Sequence, residues 1–199
     1  MVTEAGILGK IGFNSYGVGV CLNAIRTHGM DPSRIPVHLG LRMVLESVSA
    51  SEAIDKLESV GMASSAHMLI ADTTTATGLE FTSATFGKLP IDAKGRVIHA
   101  NHLLLPHPNV QDTLWLKDSS ARVATMERNT SAIREPLSWS FFSQLFEDET
   151  GYPGSICRAQ VGPSHSATLF NIVMELKEKK AVVRMGRPTQ VEETFELSF

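Results

Sequence analysis

Ala66-His67-Met68-Leu69-Ile70-Ala71, followed by Asp72-Thr73-Thr74-Thr75-Ala76 and Thr77-Gly78-Leu79-Glu80-Phe81-Thr82, is the stretch on which the fold turns. Two strand-like runs flank a segment of turn formers, so the spacing predicts strands at 66–71 and 77–82 joined as a hairpin. Immediately downstream, 86–91 and 96–101 flank Asp92-Ala93-Lys94-Gly95, a further hairpin signal. The region 66–101 is therefore predicted to be an antiparallel meander.

Helices are predicted upstream. Pro36 precedes Val37, Leu39, Leu41, Met43, Val44 and Leu45, a mostly apolar stretch that predicts a buried helix over 36–47 with Pro36 at its first position. Ser49-Ala50-Ser51-Glu52 is a capping box, and Ala53, Ile54, Leu57 and Val60 follow at helical spacing, so a second helix is predicted over 50–60, ending at Gly61. Nearer the N-terminus, 2–11 and 18–25 are rich in strand formers around the turn residues Asn14-Ser15-Tyr16-Gly17, which predicts a β-hairpin. A two-stranded hairpin is marginal alone, so it must join a larger sheet. Downstream, 119–131 and 136–146 read as helices, and 167–176 and 181–185 as a final pair of strands across Lys177-Glu178-Lys179-Lys180. Blocks of antiparallel strands with helices between them predict an α+β layered architecture in one domain, 1–199.

Composition narrows the function classes. The chain has 199 residues, 43% of them hydrophobic, and a formal net charge of -3. That balance offers no basic field for phosphate backbones, so nucleic acid is not expected as a partner. No apolar run reaches membrane-spanning length and no secretory leader pattern opens the chain, so no membrane association is expected and a cytoplasmic location is the default. Two cysteines, Cys21 and Cys157, are too few for a disulfide framework. Gly17-Val18-Gly19 lacks a third glycine opening a helix, which leaves a dinucleotide site unsupported.

Several motifs point further. Thr3-Glu4-Ala5-Gly6, Gly12-Phe13-Asn14-Ser15, Asn23-Ala24, Leu45-Glu46-Ser47, Gly78-Leu79-Glu80-Phe81, His99-Ala100-Asn101-His102, Ser155-Ile156-Cys157-Arg158-Ala159, Ala167-Thr168-Leu169-Phe170-Asn171-Ile172 and Gly186-Arg187-Pro188-Thr189 occur in this order along almost the whole chain. They resemble the acyl-coenzyme A:isopenicillin N acyltransferase family. The resemblance implies an αββα sandwich of the N-terminal-nucleophile hydrolase type, in which a precursor cleaves itself before a cysteine whose new α-amino group serves as base. It implies an acyltransferase or amide hydrolase acting on a linear amide C–N bond, with acyl exchange from a coenzyme A thioester, and hence a small-molecule amide or acyl-CoA as substrate partner and no resident cofactor.

The same resemblance implies a domain incomplete at its N-terminus. In the family the cysteine follows a glycine several tens of residues before the Thr-Glu-Ala-Gly strand, and here only Met1 and Val2 precede it. The nucleophile and the acidic residue after it are then expected on a missing N-terminal segment or subunit, and the alternative is a truncated, catalytically inactive homologue acting as a binding or structural protein. Peroxisomal residence is expected of penicillin-producing members, yet the chain closes on Glu196-Leu197-Ser198-Phe199 without such a signal.

Asn101 is the leading catalytic candidate. It falls on the family asparagine whose side-chain amide donates to the oxyanion, and a neutral amide suits developing negative charge because it does not itself ionise. By sequence alone it reads first as a residue capping a strand end or turn, and the resemblance reverses that order. His99 and His102, three apart on a predicted strand, should face opposite sides and make no metal site. Arg158, Ser164 and His165 are the candidates for lining the pocket. Arg158 reads equally well as half of a salt bridge, and Ser164-His165-Ser166 as a turn. The family has an arginine where His165 stands, and a histidine brings no permanent forked cation.

Overall fold

The structure is a computed structural model, and it describes residues 1–132, 138–162 and 164–199. The described residues form two compact units: 1–116 with 176–179 and Phe199, and 117–175 with 180–198.

The first unit is built on a five-stranded antiparallel sheet in the order β1-β2-β3-β4-β5, with β1 at Gly12–Phe13, β2 at Gly19–Ala24, β3 at Ala66–Ala71, β4 at Ala76–Phe81 and β5 at Phe86–Pro90. The decisive hairpin forms as predicted, in a register that sets His67 opposite Glu80 and Met68 opposite Leu79. Side chains alternate across the pleat. Val20, Met68, Ile70, Leu79 and Phe81 pack into one core with Leu41 and Val44 of α1 (Val37–Leu45) and Ile54 and Leu57 of α2 (Ala50–Val60). Each fully buried side chain of this kind contributes roughly 1.5–3 kcal/mol. The other face carries Cys21, Asn23, His67, Gly78, Glu80 and Gly87.

Both helices end as their sequences dictate. Ser49 Oγ accepts from the Glu52 amide at 3.2 Å, while Glu52 reaches back to the Val48 amide at 2.7 Å. Gly61 stops α2 with φ +72°, a conformation that side-chain-bearing residues rarely adopt. Pro36 is the N-cap of α1 rather than its first helical residue. Ser49→Ala is expected to cost about 1 kcal/mol of unfolding free energy, the usual worth of such a cap, read by urea titration; an unchanged midpoint would show that the cap is silent.

Three expectations are corrected. The strand predicted over 2–11 does not form: the chain turns back at Glu4–Ile7 with Gly6 at φ +84°, leaving one bridge between Val2 and Ile11 and a two-residue β1. The turn after β1 is as predicted, with Asn14 Oδ1 accepting from the Tyr16 and Val18 amides. The strand predicted over 96–101 is also absent. Asp92 closes its turn by accepting from Lys94 and Arg96, but the chain then leaves the sheet edge and crosses the Glu80 face, where Val97 stands over Gly78 and Leu105 over Gly87. Finally, the C-terminal strands number three rather than two.

Those three strands, β6 (Phe170–Glu175), β7 (Lys180–Arg187) and β8 (Gln190–Ser198), make the antiparallel sheet of the second unit in that order. Gly186, at φ +90°, sits at the register shift beside the turn into β8, where a Cβ would stand 2.6 Å from the Gln190 carbonyl oxygen. The unit also holds α3 (Ser119–Asn129) and α4 (Trp139–Leu145), α4 lying against β6. Ser138 caps α4 by accepting from the Phe141 amide. The first two residues of the helix predicted over 136–146 lie outside the described residues. The described chain is thus α+β, with two antiparallel sheets and four helices.

Candidate active site

On the face of the first sheet away from α1 and α2, one carboxylate gathers four donors. Glu80 is fully buried. Its Oε1 accepts from His99 Nε2 and from the Leu104 amide, both at 2.6 Å, and its Oε2 accepts from the Leu105 amide at 2.9 Å and from His107 Nε2 at 3.2 Å. Burial pushes the Glu80 carboxyl up, but the bonds from His99, Leu104 and Leu105 outweigh it and hold it below the ordinary glutamate range. His107 is fixed in turn by Thr85 Oγ1, 2.7 Å from its Nδ1.

The network extends to β2. The His99 ring lies flat on His67, with centroids 3.6 Å apart and planes 7° from parallel. Asn23 Oδ1 stands 3.0 Å from His67 Nδ1, so that nitrogen carries the hydrogen and Nε2 is left as a buried lone pair with no hydrogen-bond partner. Burial, helped by the charge of the adjacent His99, pushes His67 down to about 2. Gly78 lies directly beneath: a Cβ there would stand 2.6 Å from His67 Nε2.

Asn101 is carried on the segment that this network holds. The carbonyl before it, that of Ala100, accepts from His99 Nδ1 at 2.8 Å, and Asn101 Nδ2 donates to the Ala24 carbonyl at the end of β2, 2.9 Å away. Two residues on, the Leu103 amide donates to Asp112. Ala24 also lines a largely apolar cleft of about 430 Å³ with Leu22, Met30, Pro36, Val37 and Ala66. A second cleft, of about 560 Å³, shares Met30, Ser64 and Ser65 with it and contains Arg26 stacked 4.1 Å above the Trp115 ring.

The remaining sequence candidates lie in the second unit. Arg158 forms an ion pair with Asp118, which also pairs with Arg122, and its Nη1 donates to the buried Ser164 Oγ at 3.2 Å. The structure therefore brings Arg158 and Ser164 together in a salt-bridged cluster, while His165 is exposed. His99 and His102 do not face opposite ways, because 96–101 is no strand; their ring centroids are 6.5 Å apart. Among the described residues no group of three or more His, Cys, Asp or Glu side chains is arranged to hold a metal ion.

The two thiols sit in different settings: Cys157 Sγ lies 3.5 Å from Thr189 Oγ1 and 3.6 Å from an Arg187 guanidinium nitrogen. Cys157 is fully buried, and burial pushes the Cys21 thiol up to about 11. Such a thiol is almost wholly protonated at pH 8. Cys21 is expected to alkylate about ten-fold or more slowly than a free cysteine at that pH, read by mass spectrometry of the native chain; alkylation at the free rate would sink this assignment.

Sequence reasoning missed Glu80, His67, Asn23 and His107. The available signal was a lone glutamate between Leu79 and Phe81 in an inner strand, since an inner strand tolerates a charge only where partners meet it.

Fold and site together define a class: an antiparallel α+β protein presenting a preset neutral amide beside an apolar cleft. Comparison with known proteins makes it particular. Residues 2–190 match the family described as acyl-coenzyme A:6-aminopenicillanic acid acyl-transferase, and the chain belongs to that family. It is 47% identical over 202 residues to the "acyl-coenzyme A:6-aminopenicillanic-acid-acyltransferase 40 kDa form" of Emericella nidulans, an alignment covering 100% of this chain and 56% of that protein. The chain thus spans little more than half the length of this curated relative. Among the described residues no helix is long and apolar enough to cross a membrane.

Proposed function

We propose that this chain supplies the scaffold and the oxyanion donor of a penicillin-acyltransferase-type enzyme, which acts on a linear amide C–N bond and exchanges its acyl group with a coenzyme A thioester. Attack on either carbonyl builds negative charge on its oxygen. Asn101 Nδ2–H donates to that oxygen, at a site where the amide is held in advance and pays little reorganisation. The observation that carries this reading is the anchoring of Asn101 between the Ala24 carbonyl and the Glu80-centred network. The apolar cleft lined by Ala24 takes the acyl chain, and the αββα sandwich is the architecture proposed for the complete domain.

The nucleophile comes from a cysteine on a segment preceding residue 2 in the family pattern, supplied in cis or as a separate subunit. The burial of Cys157 and the raised Cys21 thiol favour this assignment. The same burial favours a second reading, in which the chain is a catalytically silent homologue. One experiment separates them: coenzyme A release from an aryl-acetyl thioester with 6-aminopenicillanic acid, measured for the chain alone and for the chain co-expressed with the part of the Emericella nidulans relative that it does not cover. Turnover only in the co-expressed sample supports the first reading. Silence in both, with a soluble complex recovered, supports the second.

A further inference from the structure

We infer that Glu80 is the positioning residue for Asn101: one buried carboxylate pins both ends of the irregular segment 99–107 and thereby sets where the Asn101 amide stands.

Residues 99–107 belong to no strand or helix, so no ladder satisfies their backbone groups. Buried amides must nevertheless find acceptors. Those of Leu104 and Leu105 find them on Glu80, one on each carboxylate oxygen, and the His99 and His107 rings take the remaining positions, their side chains only 1% exposed. Asn101 lies between a donor at 99 and a donor at 104. Its own anchor, Ala24, adjoins Asn23, which holds the His67 ring on which His99 is stacked. The path from Glu80 through His99 and His67 to β2 and back through Ala24 to Asn101 is closed, leaving the amide little freedom. Charge-assisted bonds to an ionised acceptor are about twice as strong as neutral ones, which suits a single carboxylate to this task. Neither histidine offers a lone pair toward Glu80, since both nitrogens near it donate.

Glu80→Gln tests the assignment. An amide has one acceptor oxygen, so whichever way it turns, its NH2 group faces the Leu104 or the Leu105 amide and leaves that donor orphaned. The probe is the side-chain amide of Asn101 in 15N-labelled chain, with the Asn14 side-chain amide, bonded to the Leu45 and Ser47 carbonyls in the same unit, as control. We expect the Asn101 resonances to move and their hydrogen exchange to quicken about ten-fold, with Asn14 unchanged. Unmoved Asn101 resonances, or equal changes at both sites, overturn the inference. Should Glu80→Gln not fold, Glu80→Asp retains the charge but withdraws it from the donors, and the same two outcomes apply.

The catalytic meaning of the position rests on the acyl-transfer reading, and a second arm tests it separately. In active co-expressed enzyme, Glu80→Gln should lower kcat about ten- to a hundred-fold with KM little changed, and should add nothing in the Asn101→Ala background. Additive losses would overturn positioning through Asn101. Were the co-expressed enzyme inactive, the acyl-transfer reading would fail while the resonance arm still decided the role of Glu80.

Discussion

With Asn101 as the proposed oxyanion donor, Asn101→Ala is expected to lower kcat for thioester-dependent acylation by about 10²–10³-fold in the co-expressed enzyme, with KM nearly unchanged, equivalent to roughly 2.7–4 kcal/mol of transition-state stabilisation. The magnitude follows from where the charge appears. In the ground state the carbonyl is neutral and a hydrogen bond to it is worth little beyond what water offers; in the tetrahedral intermediate the same oxygen is an anion. The donor must already be in place, and the bond from Asn101 Nδ2 to the Ala24 carbonyl at 2.9 Å fixes the amide on β2. Folding should suffer much less. Asn101 is only half-buried, so removing it forfeits a bond worth about 0.5–1.5 kcal/mol. Asn101→Asp discriminates further, since a carboxylate turns an acceptor toward both the Ala24 carbonyl and the oxyanion, and its loss should be at least as large. Steady-state kinetics with a parallel urea titration reads all three quantities. A fall of less than about five-fold for the alanine variant in fully folded enzyme would remove Asn101 from the oxyanion site.

How far this site was legible depends on which interactions made it. Asn101 is proposed from its motif, and the structure shows only how it is anchored. The hairpin 66–82 and the helices over it were found because their periodicities, two and 3.6, are imposed by one shared core containing Met68, Ile70, Leu79, Leu41 and Leu57. β8 was missed because Gln190–Ser198, with Glu192, Glu193 and Glu196, is largely exposed and shows no alternation. The strand expected over 96–101 failed for a different reason. Its composition suits a strand, but the segment docks on Glu80, a group contributed by β4 and invisible to local pattern. The same long-range capture built the histidine stack, with His67 and His99 separated in sequence by two strands and three turns. Local propensity is a weak guide wherever a buried charge recruits donors from elsewhere in the chain.

That stack yields the second large effect, a loss of stability of roughly 2 kcal/mol in the first unit between pH 7.5 and pH 5. His67 is pushed down to about 2 in the folded chain, first by burial and then by the charge of His99, whereas in the unfolded chain it titrates near 6.5. The unfolded state therefore binds the proton and the folded state refuses it. Its contribution is complete above about 6.5 and is lost as pH falls below that value, by up to about 1.4 kcal/mol per pH unit, down toward 2. The share of His67 is read by difference, because His99, whose charge adds to its depression, is stacked on it. Asn23 does not titrate, His99 lies on the ring, and Glu80, held below the ordinary carboxyl range, contributes stability in full above about 4.3 and gives it up only at lower pH. Urea unfolding followed by Trp115 fluorescence, with Trp139 replaced by phenylalanine, reports the first unit. His67→Gln cannot titrate, so the variant should lose about 2 kcal/mol less than the parent over the same interval, whatever its stability at pH 7.5. Equal losses in both proteins would mean that His67 takes up its proton in the folded state, and the flat stack on His99 could not then persist below neutrality.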